Sequence, residues 1–397
     1  MIPGVMLVTG AYYPEISAAA VQCRAVAAAL RGRADMRVLT TAVDPALPAV
    51  STVDEVVVYR VHVDVASRAS KIAASLRLAA HLLRARRSYA IVHVHGFSQK
   101  NVPVSILARL LGKRIVLSLH TAGQDEPRAA ARRGPIASWA FRSADLVLGV
   151  SADLIARWTA ANLPPDRIRL APNGVDTARF RPADDRERAE LRRALGWPVD
   201  RPVVLFVGFF SRDKRPDLLF RAWRRAAAAG ARSRLAFVGA KAAGYYEIDA
   251  SLADEIRRAA AACGCADDVI FIDATHEIEK YYRAADVYVL PSVREAHPLA
   301  LLEAMACGLP CLATRLPGST DALVADRVNG RLFPPDDEAA LAAALRDVLA
   351  DPAGARAMGV VARETVTARY DIGRTADAWL SAYRTVIKDP SWLMADG

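Results

Sequence analysis

No window of the 397-residue chain holds about 18 uninterrupted apolar residues, which argues against a membrane-spanning helix. The opening stretch, Met1-Ile-Pro-Gly-Val-Met-Leu-Val-Thr-Gly10, has no basic leader and runs straight into a strand-like run. No signal peptide is expected from it, and the expected location is cytoplasmic. Cysteine is scarce and odd in number: Cys23, Cys263, Cys265, Cys307 and Cys311 do not make a disulfide framework. Cys263-Gly-Cys265 has no His or further Cys nearby in zinc spacing, so buried structural thiols are expected there. The first strand is followed by Thr9-Gly10-Ala-Tyr-Tyr-Pro14 and not by G-x-G-x-x-G, which argues against a nicotinamide enzyme. Aromatics make up 7% and are not interleaved with the basic clusters, so no nucleic-acid partner is expected. Repeats shorter than a domain and long low-complexity tracts are both missing.

What is present reads as globular: 53% hydrophobic and 24% charged residues. The length suits two domains better than one. The formal net charge is +10, and residues 1–175 carry it, with 22 Lys/Arg against 11 Asp/Glu. Such a field favours an anionic partner, a membrane surface or a phosphorylated acceptor among them. A solvated, Arg-rich face is an equally open reading.

Short apolar runs alternate with longer helical patterns. Strands are expected at Val5–Thr9, Met36–Thr40, Val56–Val63, Ile91–His95, Arg114–Leu119 and Leu146–Val150, with helices such as Ala18–Leu30 and Ser70–Arg86 between them. The second half repeats the plan at Val203–Val207, Leu235–Val238, Val269–Ile272, Val287–Leu290 and Pro310–Thr314. Alternation of this kind predicts an α/β fold with parallel sheets covered on both faces. Polar, Pro-containing sequence from Pro172 through Pro182 separates the halves. The expected organisation is a Rossmann-like domain over 1–175, a second over 176–372 and a helical tail over 373–397. Ligands are expected in an interdomain cleft, beyond the carboxyl ends of the strands.

The most informative segment is Pro291-Ser-Val-Arg-Glu-Ala-His-Pro-Leu-Ala-Leu-Leu-Glu-Ala-Met-Ala-Cys-Gly-Leu-Pro310. A strand ends near Leu290, a short loop carries Glu295, and Pro298 suits the first turn of a helix. Free N–H groups at that helix start make a site for a diphosphate. Glu303 lies more than one turn further on. A carboxylate, an anion site and a second carboxylate follow the order sugar, phosphates, ribose of a nucleoside diphosphate sugar.

This segment resembles the Glu-x7-Glu motif of glycosyltransferase family 4, retaining enzymes of the GT-B fold. Ala171-Pro-Asn-Gly-Val-Asp176 with Phe180-Arg-Pro182, Ala285-Asp-Val-Tyr-Val-Leu-Pro-Ser292, Gly308-Leu-Pro310 and Asn329-Gly330 resemble further family signatures. The likeness covers nearly the whole chain and is strongest over 140–335. It implies that Glu295 holds donor-sugar hydroxyls, Glu303 the ribose, and Lys214 the diphosphate. It also implies that His120 faces the donor sugar. Gly208, Arg212, His297, Pro298 and Leu299 are counted with the donor site, and Ser17 and Ala18 with the acceptor. The alternatives are an ordinary helix carboxylate at Glu303 and a solvated cluster of Lys214 with Arg212, Asp213 and Arg215. For His120 the alternative is a satisfied strand-end histidine. His93 and His95 read as structural.

Three positions depart from the family pattern. Phe209 stands where an Arg usually pairs with the lysine, and Arg212 or Arg215 is the candidate replacement. Ser17 and Ala18 replace a Gly-Gly pair that lets backbone approach closely. His297 stands where Phe is common. No Asp-x-Asp triplet occurs, so no metal and no other cofactor is expected beyond the nucleotide-sugar donor, UDP being favoured over GDP. The resemblance implies retention by front-face attack and an α-linked product. It leaves the acceptor open between a small molecule and a lipid-linked one, the latter reached by peripheral contact with an anionic membrane at its inner face. A GT-B protein that binds a nucleotide sugar with little or no turnover is the competing reading.

Overall fold

The computed structural model describes residues 2–239 and 248–388. The chain divides into two compact units. The first takes the residues up to Gly174 together with those from Ile372 on, and the second is Val175–Asp371.

The first unit is built on eight strands: β1 (Ile2–Thr9), β2 (Ala34–Ala42), β3 (Val50–Val53), β4 (Val56–His62), β5 (Ile91–His95), β6 (Arg114–Leu119), β7 (Leu146–Gly149) and β8 (Ile168–Leu170). Their order across the sheet is β3-β4-β2-β1-β5-β6-β7-β8. Every pair is parallel except the β3–β4 hairpin, whose turn residues Asp54 and Glu55 have φ of 47° and 68°. β5, β6 and β7 are buried at every residue, as strands covered on both faces must be. The helices of this unit are α1 (Ala18–Ala29), α2 (Arg68–Arg84), α3 (Asn101–Leu110), α4 (Pro127–Arg132), α5 (Pro135–Arg142) and α6 (Ala152–Ala160). Ser17, Ser67 and Ser151 start three of them, each hydroxyl accepting a first-turn N–H. One core joins Cys23 and Val26 of α1, and Leu30 just after it, to Trp379 and Tyr383 of the last helix, Ile372–Lys388. A separate layer is formed by α3, which packs against α2 and α5, and by α4, which packs on α5.

The second unit holds α7 (Asp185–Ala194), β9 (Val203–Val207), α8 (Pro216–Ala228), β10 (Arg234–Val238), α9 (Ser251–Ala262) and β11 (Val269–Ile272). It continues with α10 (Ile278–Ala284), β12 (Val287–Leu290), α11 (Leu299–Ala306), β13 (Cys311–Thr314), α12 (Thr320–Leu323), β14 (Arg331–Phe333), α13 (Glu338–Ala350) and α14 (Pro352–Arg369). The last helix of the chain is α15 (Ile372–Lys388). The six strands are all parallel, in the order β11-β10-β9-β12-β13-β14. The direction of winding reverses between β9 and β12. Ligands of doubly wound sheets gather at such a switch point, beyond the carboxyl ends of the strands.

The cysteines correct one expectation. Cys23, Cys307 and Cys311 are buried free thiols, but Cys263 and Cys265 are joined in a disulfide on the surface turn after α9. Gly264 turns the chain there with φ +69°, leaving Cys263 exposed and Cys265 half-buried against the core of the second unit.

Candidate active site

The loops after β9 and β12 flank the switch point of the second unit, and polar contacts stitch them together. Val293 donates its N–H to the Asp213 carbonyl at 2.8 Å, and Arg294 pairs with the Asp213 carboxylate. Between them the Lys214 Nζ lies 2.6 Å from Glu295 Oε1. The lysine side chain is 30% exposed and the glutamate 8%. Lys214 is aimed by its own turn, where its N–H reaches back to the Ser211 carbonyl at 3.1 Å. Arg215 follows in the left-handed conformation and starts α8.

Pro298 is the residue before the first turn of α11, and no side chain caps that helix. The start of α11, at Leu299, therefore keeps the partial positive charge of a helix N-terminus. Glu303 is buried one turn further on. Tyr282 of α10 donates its hydroxyl to Glu303 Oε2 at 2.9 Å. Burial raises the Glu303 carboxyl to about 7, partly offset by that bond and by Arg179. The same burial lifts the Tyr282 phenol further out of the accessible range. His297 is buried against Tyr370, ring centroids 5.2 Å apart, and burial lowers its imidazole to about 3. It is a neutral ring at neutral pH.

Gly208 follows β9 where space is tight: a Cβ would meet the Phe206 ring at 3.2 Å, and its own carbonyl fills the room beside Gly239. Phe209 is half-buried next to it. The two arginines considered for its missing charge are engaged elsewhere. Arg212, 59% exposed, bonds Asp249 at 2.8 Å and Glu255 at 3.1 Å. Arg215 pairs with Asp217 and Asp336. Lys214 is thus the cation that this loop brings to Glu295, and Arg212 is not gathered with it.

In the first unit His120 follows β6. Its Nε2 is 3.0 Å from His95 Nδ1, so the pair shares one proton whose position the heavy atoms do not fix. Burial lowers His120 to about 4 and keeps it neutral. The loop is fixed by Asp125, which accepts N–H bonds from His120 and Thr121 at 3.0 Å and from Phe97 at 2.7 Å. His93 is enclosed by Tyr383 and Ser118, with bonds of 2.7 and 2.8 Å. Ser17 is the N-cap of α1 and accepts from the Ala20 N–H at 3.2 Å, while Ala18 opens the helix and is exposed. The preceding loop is anchored by Arg60, which donates to the Tyr13 carbonyl at 2.7 Å, and by Glu15, which accepts from the Val43 N–H at 2.6 Å.

Sequence reasoning missed Tyr282, Asp125 and the pairing of His95 with His120. The last could have been found, since the register sets His95 beside Ser118, two residues before His120. Among the described residues no group of three His, Cys, Asp or Glu side chains is placed to hold a metal ion, and no helix is long and apolar enough to cross a membrane.

Comparison with known proteins agrees with this architecture. The family model for glycosyltransferase family 4 matches residues 19–179, and that for glycosyl transferases group 1 matches residues 187–365. The D-inositol 3-phosphate glycosyltransferase of Acidothermus cellulolyticus is 33% identical over 328 residues, 79% of this chain and 70% of that protein. The alpha-maltose-1-phosphate synthase of Mycolicibacterium smegmatis is 30% identical over 357 residues, 83% of this chain and 87% of that one. The solved structure of HepE from Anabaena in complex with UDP and glucose superposes with a TM-score of 0.79 at 18% identity, over 96% of this chain and all of that one, and so shares the fold. The chain is a glycosyltransferase and belongs to glycosyltransferase family 4, with the two parallel-sheet units of the GT-B fold.

Proposed function

We propose that the enzyme moves a sugar from a nucleoside diphosphate sugar, UDP-linked in preference to GDP-linked, onto an acceptor hydroxyl with retention, giving an α-glycosidic bond. The observation that carries this reading is the Lys214–Glu295 pair at the β9/β12 switch point, beside the uncapped start of α11. An ammonium has three donors and Glu295 uses one, so Lys214 retains donors for a diphosphate. Charge that gathers on the departing diphosphate would meet Lys214 and the N–H groups that follow Pro298 at the start of α11, from Leu299 on. Fixed donors of this kind stabilise the transition state without a metal. Glu295 would take donor-sugar hydroxyls, and Glu303 the ribose hydroxyls once it is ionised. Gly208 would set the start of the loop that carries Lys214 beside the nucleotide, and His297 would offer a neutral imidazole.

His120, neutral and held by His95 and Asp125, would face the sugar from the first unit, and the loop at Ser17 and Ala18 would meet the acceptor. The attacking hydroxyl approaches on the face of the leaving diphosphate, whose oxygen takes the proton as the old glycosidic bond breaks and the new one forms. The curated relatives named for inositol 3-phosphate favour a small-molecule acceptor. A lipid-borne acceptor would instead bring the basic first unit to an anionic surface. Either way we expect the enzyme in the cytoplasm or at the inner face of the membrane. An anomer assignment by NMR of the product from an α-linked UDP-sugar tests the stereochemistry. An α product supports it, and a β product overturns it.

A further inference from the structure

His95 closes β5 and His120 follows β6, at the carboxyl ends of two neighbouring strands of the first sheet. Both rings are neutral, because burial lowers both imidazoles. Two neutral rings carry two protons on four nitrogens. The facing atoms, His95 Nδ1 and His120 Nε2 at 3.0 Å, hold one proton between them, since two would clash and none would set lone pair against lone pair. The direction of that bond decides where the second proton lies. If His120 donates, the second proton is on His95 Nε2. If His95 donates, it is on His120 Nδ1.

The surroundings of these two outer nitrogens differ. His95 is buried, and its Nε2 is enclosed with no hydrogen-bond partner. The ring lies against other rings, His93 at 4.2 Å and Trp379 at 4.8 Å between centroids. His93, on the same strand, has a hydroxyl at each nitrogen, from Tyr383 and Ser118. His120 is only half-buried, and its Nδ1 is not enclosed in this way. A buried N–H without an acceptor is rarer in folded proteins than an unused acceptor. The bare nitrogen is therefore His95 Nε2, and the second proton belongs to His120.

We propose that His95 is a positioning residue for the transferase: it donates from Nδ1 to His120 Nε2 and so holds His120 in the tautomer with its proton on Nδ1. The bond at one imidazole nitrogen sets the state of the other. An imidazole free in water prefers its proton on Nε2, so this tautomer is one that a neighbour must enforce. His120 then offers a donor suited to an oxygen lone pair of the donor sugar, a role that rests on the proposed placing of His120 toward that sugar. Its one basic nitrogen, Nε2, is taken by His95, so His120 does not accept the proton of the attacking hydroxyl. That agrees with proton transfer to the leaving diphosphate.

The test is a long-range 1H–15N correlation of the imidazole rings in the full chain labelled with 15N-histidine, with His120 identified by the signals lost in His120→Gln. His120 should show a proton-bearing Nδ1 and a bare Nε2. In His95→Leu the donor is gone. The His120 proton should move toward Nε2, and kcat should fall by about 10–100-fold, the usual loss when the partner that orients a functional histidine is removed. The thermal shift with UDP should stay as in the wild type. His95→Asn sets an amide NH2 near the place of Nδ1. It should keep the Nδ1 proton on His120 and lose less of kcat than His95→Leu. A purely structural His95 would lower stability and leave the His120 tautomer as it was. A wild-type His120 protonated on Nε2 overturns the proposal, as does an unchanged tautomer or an unchanged kcat in His95→Leu. If His95→Leu does not fold, the wild-type and His95→Asn spectra still decide. The tautomer is read without substrate, so a proton on His120 Nδ1 with no thermal shift for UDP contradicts the donor site alone.

Discussion

Lys214 and Glu295 stand on different loops, 81 residues apart in sequence, yet their charged ends meet at 2.6 Å where the second sheet reverses its winding. The contact depends on parallel pairing of β9 with β12, which sets the two loops side by side. A cation and a carboxylate at that place meet the two needs of a sugar diphosphate, a counter-charge for the phosphates and an acceptor for sugar hydroxyls. The first prediction concerns this pair. Lys214→Ala should lower turnover by about 10²–10³-fold, the usual loss when one fixed donor to a developing negative charge is removed. It should also cost about 1–3 kcal/mol of stability, because Glu295 is left buried without its cation. Steady-state kinetics and urea unfolding read the two effects separately.

Glu303 makes stability depend on pH in a defined direction. Its folded value, about 7, lies above the ordinary 4.5. The unfolded chain gives up this proton near 4.5, while the folded chain keeps it until about 7. The stability that protonated Glu303 contributes is therefore present below about pH 4.5 and is lost as pH rises to about 7. His120 and His297 act in the opposite sense, since lowered imidazoles make the fold lose stability as pH falls below about 6.5. Glu303→Gln leaves those histidines in place. The Tm of the variant minus that of the wild type should rise from about pH 5 to about pH 8. A difference independent of pH would contradict the shift.

Asp125 is the residue on which the His120 loop depends. Its carboxylate accepts three backbone N–H bonds, and an amide in its place would turn an NH2 toward one of those donors. Asp125→Asn should cost about 1–3 kcal/mol in unfolding experiments. If His120 faces the sugar, kcat should fall while the affinity for UDP, bound in the other unit, stays unchanged. A parallel fall in UDP affinity would show that the loop matters only for folding.

Gly359 lets α14 lie directly on the end of α11. A Cβ there would stand 2.0 Å from the Gly308 carbonyl oxygen, and neither element can give way without moving backbone. Gly359→Ala should destabilise the fold by about 1–3 kcal/mol, and weaken UDP binding through the displaced α11. Chemical denaturation and a UDP titration check the two parts.

The core strands were legible because each is a short apolar run between helical patterns. Ile91–His95, Arg114–Leu119, Val203–Val207, Val269–Ile272 and Val287–Leu290 fall where the pattern puts them. The strands that the pattern misses, β3, β8 and β14, are sheet edges of three or four residues. Edge strands bury fewer side chains, and Val50–Val53 and Ile168–Leu170 expose half or more of theirs, so no apolar run marks them. At the site, the carboxylates of the Glu-x7-Glu segment could be read because one short stretch carries both. Tyr282 could not, because its bond to Glu303 joins two helices through packing that sequence spacing does not encode. The same holds for Arg212, whose partners Asp249 and Glu255 lie 37 and 43 residues away. The general habit of free thiols predicts burial for Cys263 and Cys265, but a left-handed glycine between them leaves Cys263 exposed and Cys265 only half-buried.

The proposed reaction requires a metal-independent site for a nucleoside diphosphate in the second unit, centred on Lys214. Thermal shift with UDP, GDP, ADP, TDP and NAD at equal concentrations, each with magnesium and with EDTA, tests it most directly, with Lys214→Ala beside the wild type. A ligand bound only by the folded state raises its apparent stability by mass action. A shift with UDP that is equal in magnesium and in EDTA and much reduced in Lys214→Ala is expected. A shift with NAD alone, a shift that needs magnesium, or no shift with any diphosphate would contradict it.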